Sequence, residues 1–435
     1  MNTIFFALVM VAFGVAAFSQ LTWVMEPGQG PEPMESLSNG LVQTASGAVE
    51  LAIGLIGVMA LFLGLMKVAE KGGMLTLLAR LIRPLMTRLF PDVPPDHPAM
   101  GAMILNMSAN ALGLGNAATP FGIRAMQELD RLNPVRGTAS NSMALFLAIN
   151  TSSVTLLPTG VIALRAAAGS ADPAAILPTT LFATFVSTLV AILAAKLYQR
   201  IAKMPDPADV DLQEEGIEKD EWGGADVDDY QLLDTPPPYP LWVSILAIMA
   251  LAGLVPLSII YGQAISHWVM PALVVGLLGF GVVRGVRVYE AFVEGARDGF
   301  NVAVKIIPYL VAILVAVGMF RASGAMDYLV ALIGPVTSAF GLPAEALPMA
   351  LLRPLSGSGA YGVLAATIED PAIGPDSYIG MLVSTFQGST ETTFYVIAVY
   401  FGAVQIRRMR HALWAALTAD LAGIIAAVFI CSLMF

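Results

Sequence analysis

The stretch from Tyr378 to Val404, "YIGMLVSTFQGSTETTFYVIAVYFGAV", decides how this chain is read. It is long enough to cross a bilayer, yet residues 384 to 393 carry eight polar side chains in ten positions, including the ionisable Glu391. A charge at the centre of a spanning helix costs about 2.5 to 3.5 kcal/mol on insertion scales, so Glu391 is expected to face protein or water, not lipid. Burial also disfavours the charged form of a carboxylate, which makes Glu391 a candidate proton carrier. The alternative is a hydrogen-bonded Glu that locks two helices together.

The surrounding chain is that of an all-α polytopic membrane protein. Hydrophobic residues make up 57% of the 435 and charged residues 12%, about half the charge of a soluble domain. Apolar stretches at 3 to 24, 47 to 66, 173 to 195, 241 to 261, 268 to 283, 303 to 320 and 413 to 435 have the lengths of membrane helices. The first has no charged start and no A-x-A cleavage site, so it reads as a retained helix. The one cysteine, Cys431, and the scattered His97, His267 and His411 offer no metal-ligand spacing. No metal or other cofactor is expected. The net charge of -10 is concentrated between Met204 and Pro236, where twelve acids face Lys219 alone. That run reads as a solvated linker, and the absence of a basic patch argues against nucleic-acid binding.

The distribution of Lys and Arg orients the chain. The loop from Glu26 to Glu35 has acids and no bases, whereas Lys67, Lys71, Arg80, Arg83 and Arg88 follow the second helix. By the positive-inside rule the N-terminus is cytoplasmic. The segment 97 to 123 lies between that basic stretch and Arg124, Arg131 and Arg136, so it is expected to enter and leave by one face as a re-entrant hairpin. A helix from 139 to 165 leads out and 173 to 199 returns; helices at 239 to 261 and 264 to 284 follow the linker. Then 303 to 320 runs outward, 345 to 366 forms a second hairpin, and 377 to 403 returns as a broken helix. The total is about nine spanning helices.

An ordered internal repeat underlies this pattern. "EKGGMLTLLARLIRPL" at Glu70 parallels "RASGAMDYLVALIGPV" at Arg321; "NMSANALGL" at Asn106 parallels "PLSGSGAYG" at Pro354; "TSSVTL" at Thr151 parallels "STETTF" at Ser389. The second copy has the opposite orientation. Inverted repeats with paired interrupted segments mark secondary transporters, whose sites lie near the bilayer midplane. The chain divides into 1–203, the linker 204–238, and 239–435. Segments 74 to 90 and 325 to 340 are amphipathic arms along the membrane surfaces.

At these motifs the chain resembles a known family. "NMSANALGLGNAATPFGIRAMQELD" with "SNSMALFLAINTSSVTLLPTGVIALR" looks like spore maturation protein A. "VKIIPYLVAILVAVGMFRASGAMDYLV", "LLRPLSGSGAYGVLA" and "FQGSTETTFYVIAVYFGAV" look like spore maturation protein B. The resemblance implies a fusion of the two, each with a nucleoside-recognition or Gate domain, shared more distantly with concentrative nucleoside transporters and ferrous-iron permeases. In those nucleoside transporters a hairpin with a Gln-Thr-Glu-Ala-Pro pattern contacts the base. Here Gln387, Thr390 and Glu391 lack the Ala-Pro continuation and lie on a broken helix, which puts nucleoside specificity in doubt.

The residues that could hold a solute fall in four groups. The second break offers Gln387, Ser389, Thr390, Glu391 and Thr392; the first offers Asn150, Thr151, Ser152, Ser153 and Thr155, loosened by Pro158 and Gly160. Hairpin one contributes Asn106, Ser108, Asn110, Asn116 and Thr119, and hairpin two Ser356 and Ser358. Packing through small hydroxyl residues is the alternative for many of these. Arg353, Arg321 and Lys305 are expected to snorkel to the interface.

The leading function is a transporter or permease in a bacterial cytoplasmic membrane for a small polar solute, with H+ or Na+ as possible coupling ion, Glu391 as the coupling group, and a homo-oligomer possible. Lipid-precursor movement and an envelope scaffold are the alternatives. An intramembrane hydrolase is disfavoured because no H-E-x-x-H, G-x-S-x-G or paired membrane aspartates occur.

Overall fold

The structure, a computed structural model, describes residues 2–24, 31–113, 115–152, 155–205 and 238–435. The acidic linker expected over 204–238 therefore lies almost wholly outside the described residues, as does Ser153. The described chain is all helix: α1 (Asn2–Thr22), α2 (Pro33–Lys71), α3 (Met74–Leu89), α4 (Pro98–Ala111), α5 (Gly115–Arg131), α6 (Asn141–Ser152), α7 (Thr159–Ala167), α8 (Leu177–Tyr198), α9 (Leu241–Val283), α10 (Val288–Ala322), α11 (Ala325–Ser338), α12 (Leu347–Leu352), α13 (Gly357–Ile368), α14 (Tyr378–Ser389), α15 (Thr393–Gly402) and α16 (Ala412–Met434).

The series from α2 to α8 recurs from α10 to α16: a long helix, a short amphipathic one, a hairpin, a broken helix and a spanning helix. The two arms begin alike. Gly73 before α3 and Gly324 before α11 are both left-handed, with φ of 83° and 77°, a conformation that costs glycine little and other residues more. At these glycines the long helix ends and the chain turns into its surface arm.

Matched helices of the two series run antiparallel. Along α2 and α10, Gly40 lies against Ala322, Thr44 against Gly318, Ala60 against Gly299 and Gly64 against Phe292, so one index rises as the other falls. Small residues let the two backbones approach closely, as lipid-embedded helix pairs require. Along α8 and α16, Phe182 pairs with Phe429 and Tyr198 with Thr418. The ends of the broken helices match in the same sense. Arg165 at the end of α7 binds Asp376 just before α14, while Arg407 and Arg408, beyond α15, donate backbone N–H groups to Gly137, ahead of α6.

Among the described residues three single helices have the length and hydropathy of a span, in α1, α8 and α16. The end of α10 and the start of α11 together form a bent pair at 76°. The expected count of about nine includes the broken helices, each of which is two short pieces. One boundary differs from expectation: 239 to 261 and 264 to 284 form the single helix α9. Tyr261, Gly262 and Gln263, between them, include no proline or charge, so nothing there stops helical hydrogen bonding.

Candidate functional site

Each broken helix breaks where hydroxyl side chains compete with the backbone for hydrogen bonds. In the first, α6 ends at Ser152 and α7 begins after Pro158, which cannot donate. In the second, α14 ends at Ser389 and Thr390 is fully extended, with φ -135° and ψ 163°. The two breaks cross and touch: the Glu391 N–H donates to the Thr151 carbonyl at 2.8 Å. Each hairpin tip is then tied to one break by backbone. Leu156 N–H donates to Ala111 O at 3.0 Å, and Phe394 N–H donates to Pro354 O at 3.1 Å. Freed helix-end groups are thus satisfied by other freed ends.

The first half-site is neutral. Asn110 of hairpin one donates to Asn150 Oδ1 at 2.9 Å, and Asn150 donates in turn to Phe146 O at 2.9 Å. Asn106 donates to Ala118 O at 2.8 Å and to Tyr400 Oη at 3.1 Å. The Tyr400 hydroxyl, from α15, donates to Asn150 Oδ1 at 3.4 Å. Among the described residues the buried Asn106 Oδ1 has no partner.

The second half-site is charged. Arg353, in the turn of hairpin two, is 5% exposed. Its guanidinium donates to the Thr392 hydroxyl at 3.0 Å and to the Thr390 carbonyl, and Nη2 lies 3.6 Å from Glu391 Oε2. The expected snorkelling of Arg353 is overturned, because the broken backbone supplies the acceptors that an interface would. Glu391 is also less enclosed than expected: its side chain is 46% exposed, since the extended residues around it turn it outward from the packed hydroxyls. Asp420 of α16, 4% exposed, accepts from the Thr393 hydroxyl at 2.7 Å. A small cavity of about 10 Å³ lies among Arg353, Ser389, Thr390 and Asp420, the size that one water needs.

The remaining expected residues divide clearly. Ser389 and Thr390 line the cavity, and Thr392 holds Arg353. Gln387 is buried beside the break, its Oε1 without a partner among the described residues. Ser356 caps α13 by accepting from Gly359 N–H at 3.1 Å. Ser108, Thr151 and Ser152 turn their hydroxyls to their own helices, onto Ile104, Ala148 and Ile149 carbonyls, although the Thr151 carbonyl makes the crossing. Ser152 also reaches Thr188 of α8 at 3.1 Å. Thr119 and Thr155 are half-buried near hairpin one and the first break. Asn116 opens α5, with its side chain outside the described residues. Ser358 is exposed on α13 and does not join the cluster, because Ser356 at the cap and Ser358 two residues on cannot share a helix face.

Sequence reading missed Asp420, Tyr400 and the site role of Arg353. An acid in an apolar 23-residue helix was the available signal for Asp420. Tyr400 carried none, since a tyrosine in a helix of aromatic and aliphatic residues looks like core.

Relatives follow from these motifs. Spore maturation protein B of Bacillus subtilis (strain 168) is 48% identical over 171 residues, which is 39% of this chain and 95% of that protein. Spore maturation protein A of the same strain is 45% identical over 165 residues, 38% of this chain and 84% of that one. Inner membrane protein YjiG of Escherichia coli (strain K12) is 34% identical over 81 residues, 18% of this chain and 53% of its own. The solved structure of CNTnw in an inward-facing substrate-bound state aligns over 99% of this chain and 90% of that one, with 15% identity and a TM-score of 0.46. The Gate family, described as nucleoside recognition, matches residues 52–168 and 303–407. Each matched segment contains a hairpin and a broken helix, so the elements that build the crossing are the ones the family defines, and this chain belongs to the Gate, nucleoside-recognition family.

Proposed function

We propose that the protein is a membrane transporter for a small polar solute that binds where the two unwound helices cross. The observation that carries this is the Glu391–Thr151 backbone bond, flanked by two hairpin tips bonded to the same breaks. A scaffold would gain nothing from leaving helices unwound at membrane depth, where broken backbone is tolerated when it lines a cavity or is buried in protein. The solute class that the family description favours is nucleoside-like. The cavity at the charged half has room for about one water, so admission of such a solute requires the hairpin tips to part from the crossing.

The division into 1–203, 204–238 and 239–435 is the corresponding domain proposal: two inverted halves joined by an acidic linker. A cytoplasmic N-terminus in a bacterial inner membrane is supported by where basic residues meet. Arg410, beyond α15, donates to Ala139 O ahead of α6 and to Ala202 O beyond α8, so three basic clusters share one end of the molecule. The solute cluster we propose is Asn106, Asn110, Asn150, Gln387, Ser389, Thr390, Glu391 and Thr392.

The test is thermal stabilisation of the purified chain by uridine, adenosine, free bases, amino acids and dicarboxylates. A hit should stabilise by about 2.7 kcal/mol at 100 times its dissociation constant and vanish in Asn150→Ala and Glu391→Gln. No hit in wild type, together with vesicle uptake no faster than in empty liposomes, would defeat the transporter reading.

A further inference from the structure

Three ionisable groups meet at the charged half-site, and their charges do not balance. Glu391 and Asp420 carry two carboxylates against the one guanidinium of Arg353. Left ionised, the trio would hold a net negative charge at membrane depth, which is costly. The geometry decides where compensation falls. Arg353 is committed to Glu391, the Thr390 carbonyl and the Thr392 hydroxyl. Asp420 makes no ion pair among the described residues. Among the described residues its Oδ2 accepts one hydrogen bond, from Thr393, and its Oδ1 has no partner. The arginine Nε is also without a partner among the described residues, and both residues line the one-water cavity.

From this we infer that Asp420, not Glu391, is the proton-binding carboxylate of the site: it holds a proton on Oδ1, while Glu391 lies beside the Arg353 guanidinium. The cavity that Asp420 and Arg353 both line is the way out for that proton, to solvent. If a solute draws Glu391 away, Arg353 gains a reason to take Asp420 as its counter-ion, and the proton is released. That coupling rests on the transporter reading; the protonation itself does not.

The other titratable groups near α16 do not supply the compensating charge. They are Tyr395 and Tyr400 of α15, Tyr198 of α8, whose hydroxyl meets Thr418, and Tyr378 of α14 with Cys431 toward the far end of α16. The cations there are Lys196 of α8, Arg165 near Cys431, and Arg410 with His411 ahead of α16; among the described residues none of them pairs with Asp420, and α6 and α12 contribute no titratable side chain.

Infrared difference spectroscopy of the full chain in lipid nanodiscs, scanned from about pH 5 to about pH 9 and free of any solute, tests this. Wild type should show a protonated-carboxyl C=O band that Asp420→Asn abolishes and Glu391→Gln retains. Thr393→Val should keep the band and move it to higher frequency, because the carbonyl Oδ2 loses its hydrogen bond. This variant serves if Asp420→Asn fails to fold. A band lost in Glu391→Gln, an unshifted band in Thr393→Val, or no such band in wild type would overturn the assignment. The spectroscopy needs no transport, so a failed solute screen beside a positive band defeats only the transporter reading.

Discussion

The two breaks share a backbone plan and differ in chemistry. At the first, amides from α4 and α6 face one another and the Tyr400 hydroxyl; at the second, a buried arginine sits among a carbonyl, a hydroxyl and two acids. The same contrast appears in packing, with its sense exchanged. Gly122 of hairpin one lies against the Tyr400 hydroxyl of α15, whereas Gly160 of α7 lies against the Tyr361 hydroxyl of hairpin two. In each case a broken helix of one half meets a hairpin leg of the other, with one glycine and one tyrosine. Duplicated geometry has thus been kept while the side chains diverged. One half-site presents hydrogen-bonding groups alone and the other presents charge.

The sharpest way to break this comparison is at Arg353. Arg353→Met removes the only cation that the described residues place at the charged break and leaves Glu391, Asp420 and the Thr390 carbonyl without it. It should cost about 3 kcal/mol, the scale for removing a charged donor from buried acceptors, read as the largest fall in thermal unfolding temperature of the series. An effect no larger than that of Asn150→Ala would mean the two halves are not energetically different.

Next in size are the glycine positions. Gly122→Ala and Gly160→Ala each drive a methyl into a tyrosine hydroxyl and should cost about 1 to 3 kcal/mol. Tyr400→Phe in the first background and Tyr361→Phe in the second should recover part of the loss. Absence of recovery in either would break the claimed exchange of packing partners.

Asn110→Ala and Asn150→Ala probe the neutral half. Each breaks the amide–amide hydrogen bond, at about 0.5 to 1.5 kcal/mol, and each should lower solute stabilisation more than it lowers melting. A separate control lies outside the crossing, at His411 before α16. Burial and the neighbouring Arg410 push its imidazole down to about 4. The neutral form is favoured on folding, so this contribution is present above the ordinary value near 6.5 and is lost as pH falls toward 4. His411→Asn should flatten the melting profile over that window while leaving the Arg353 and Asn150 effects in place. The smallest effect belongs to Ser358→Ala, exposed on α13 and expected within about 0.5 kcal/mol of wild type.

How much was legible varied with the physics. The arms at α3 and α11 followed from amphipathic spacing and a Gly before each. The hairpins followed from Gly- and Asn-rich segments between like-charged flanks, and the breaks from runs of hydroxyls with proline or acid. All are local signals, because backbone preference and hydrogen-bond competition act within a few residues. Arg353 was misjudged because an arginine near the end of an apolar segment snorkels unless buried acceptors await it, and those acceptors come from residues 37 and 39 positions away. Ser358 was over-read for the converse reason: its composition suited a site, but its helix face did not.

By itself, then, the sequence determined an all-helical membrane chain with two ordered copies of a hairpin and a broken helix, and it marked the residues at which backbone hydrogen bonding fails. Tertiary structure alone decided that the two breaks touch, that Thr151 and Glu391 share a hydrogen bond, and that Asp420 stands behind Arg353. These contacts join residues 27 to 240 positions apart. No local preference encodes them; they exist because antiparallel packing of matched helices brings unsatisfied groups from one half to those of the other.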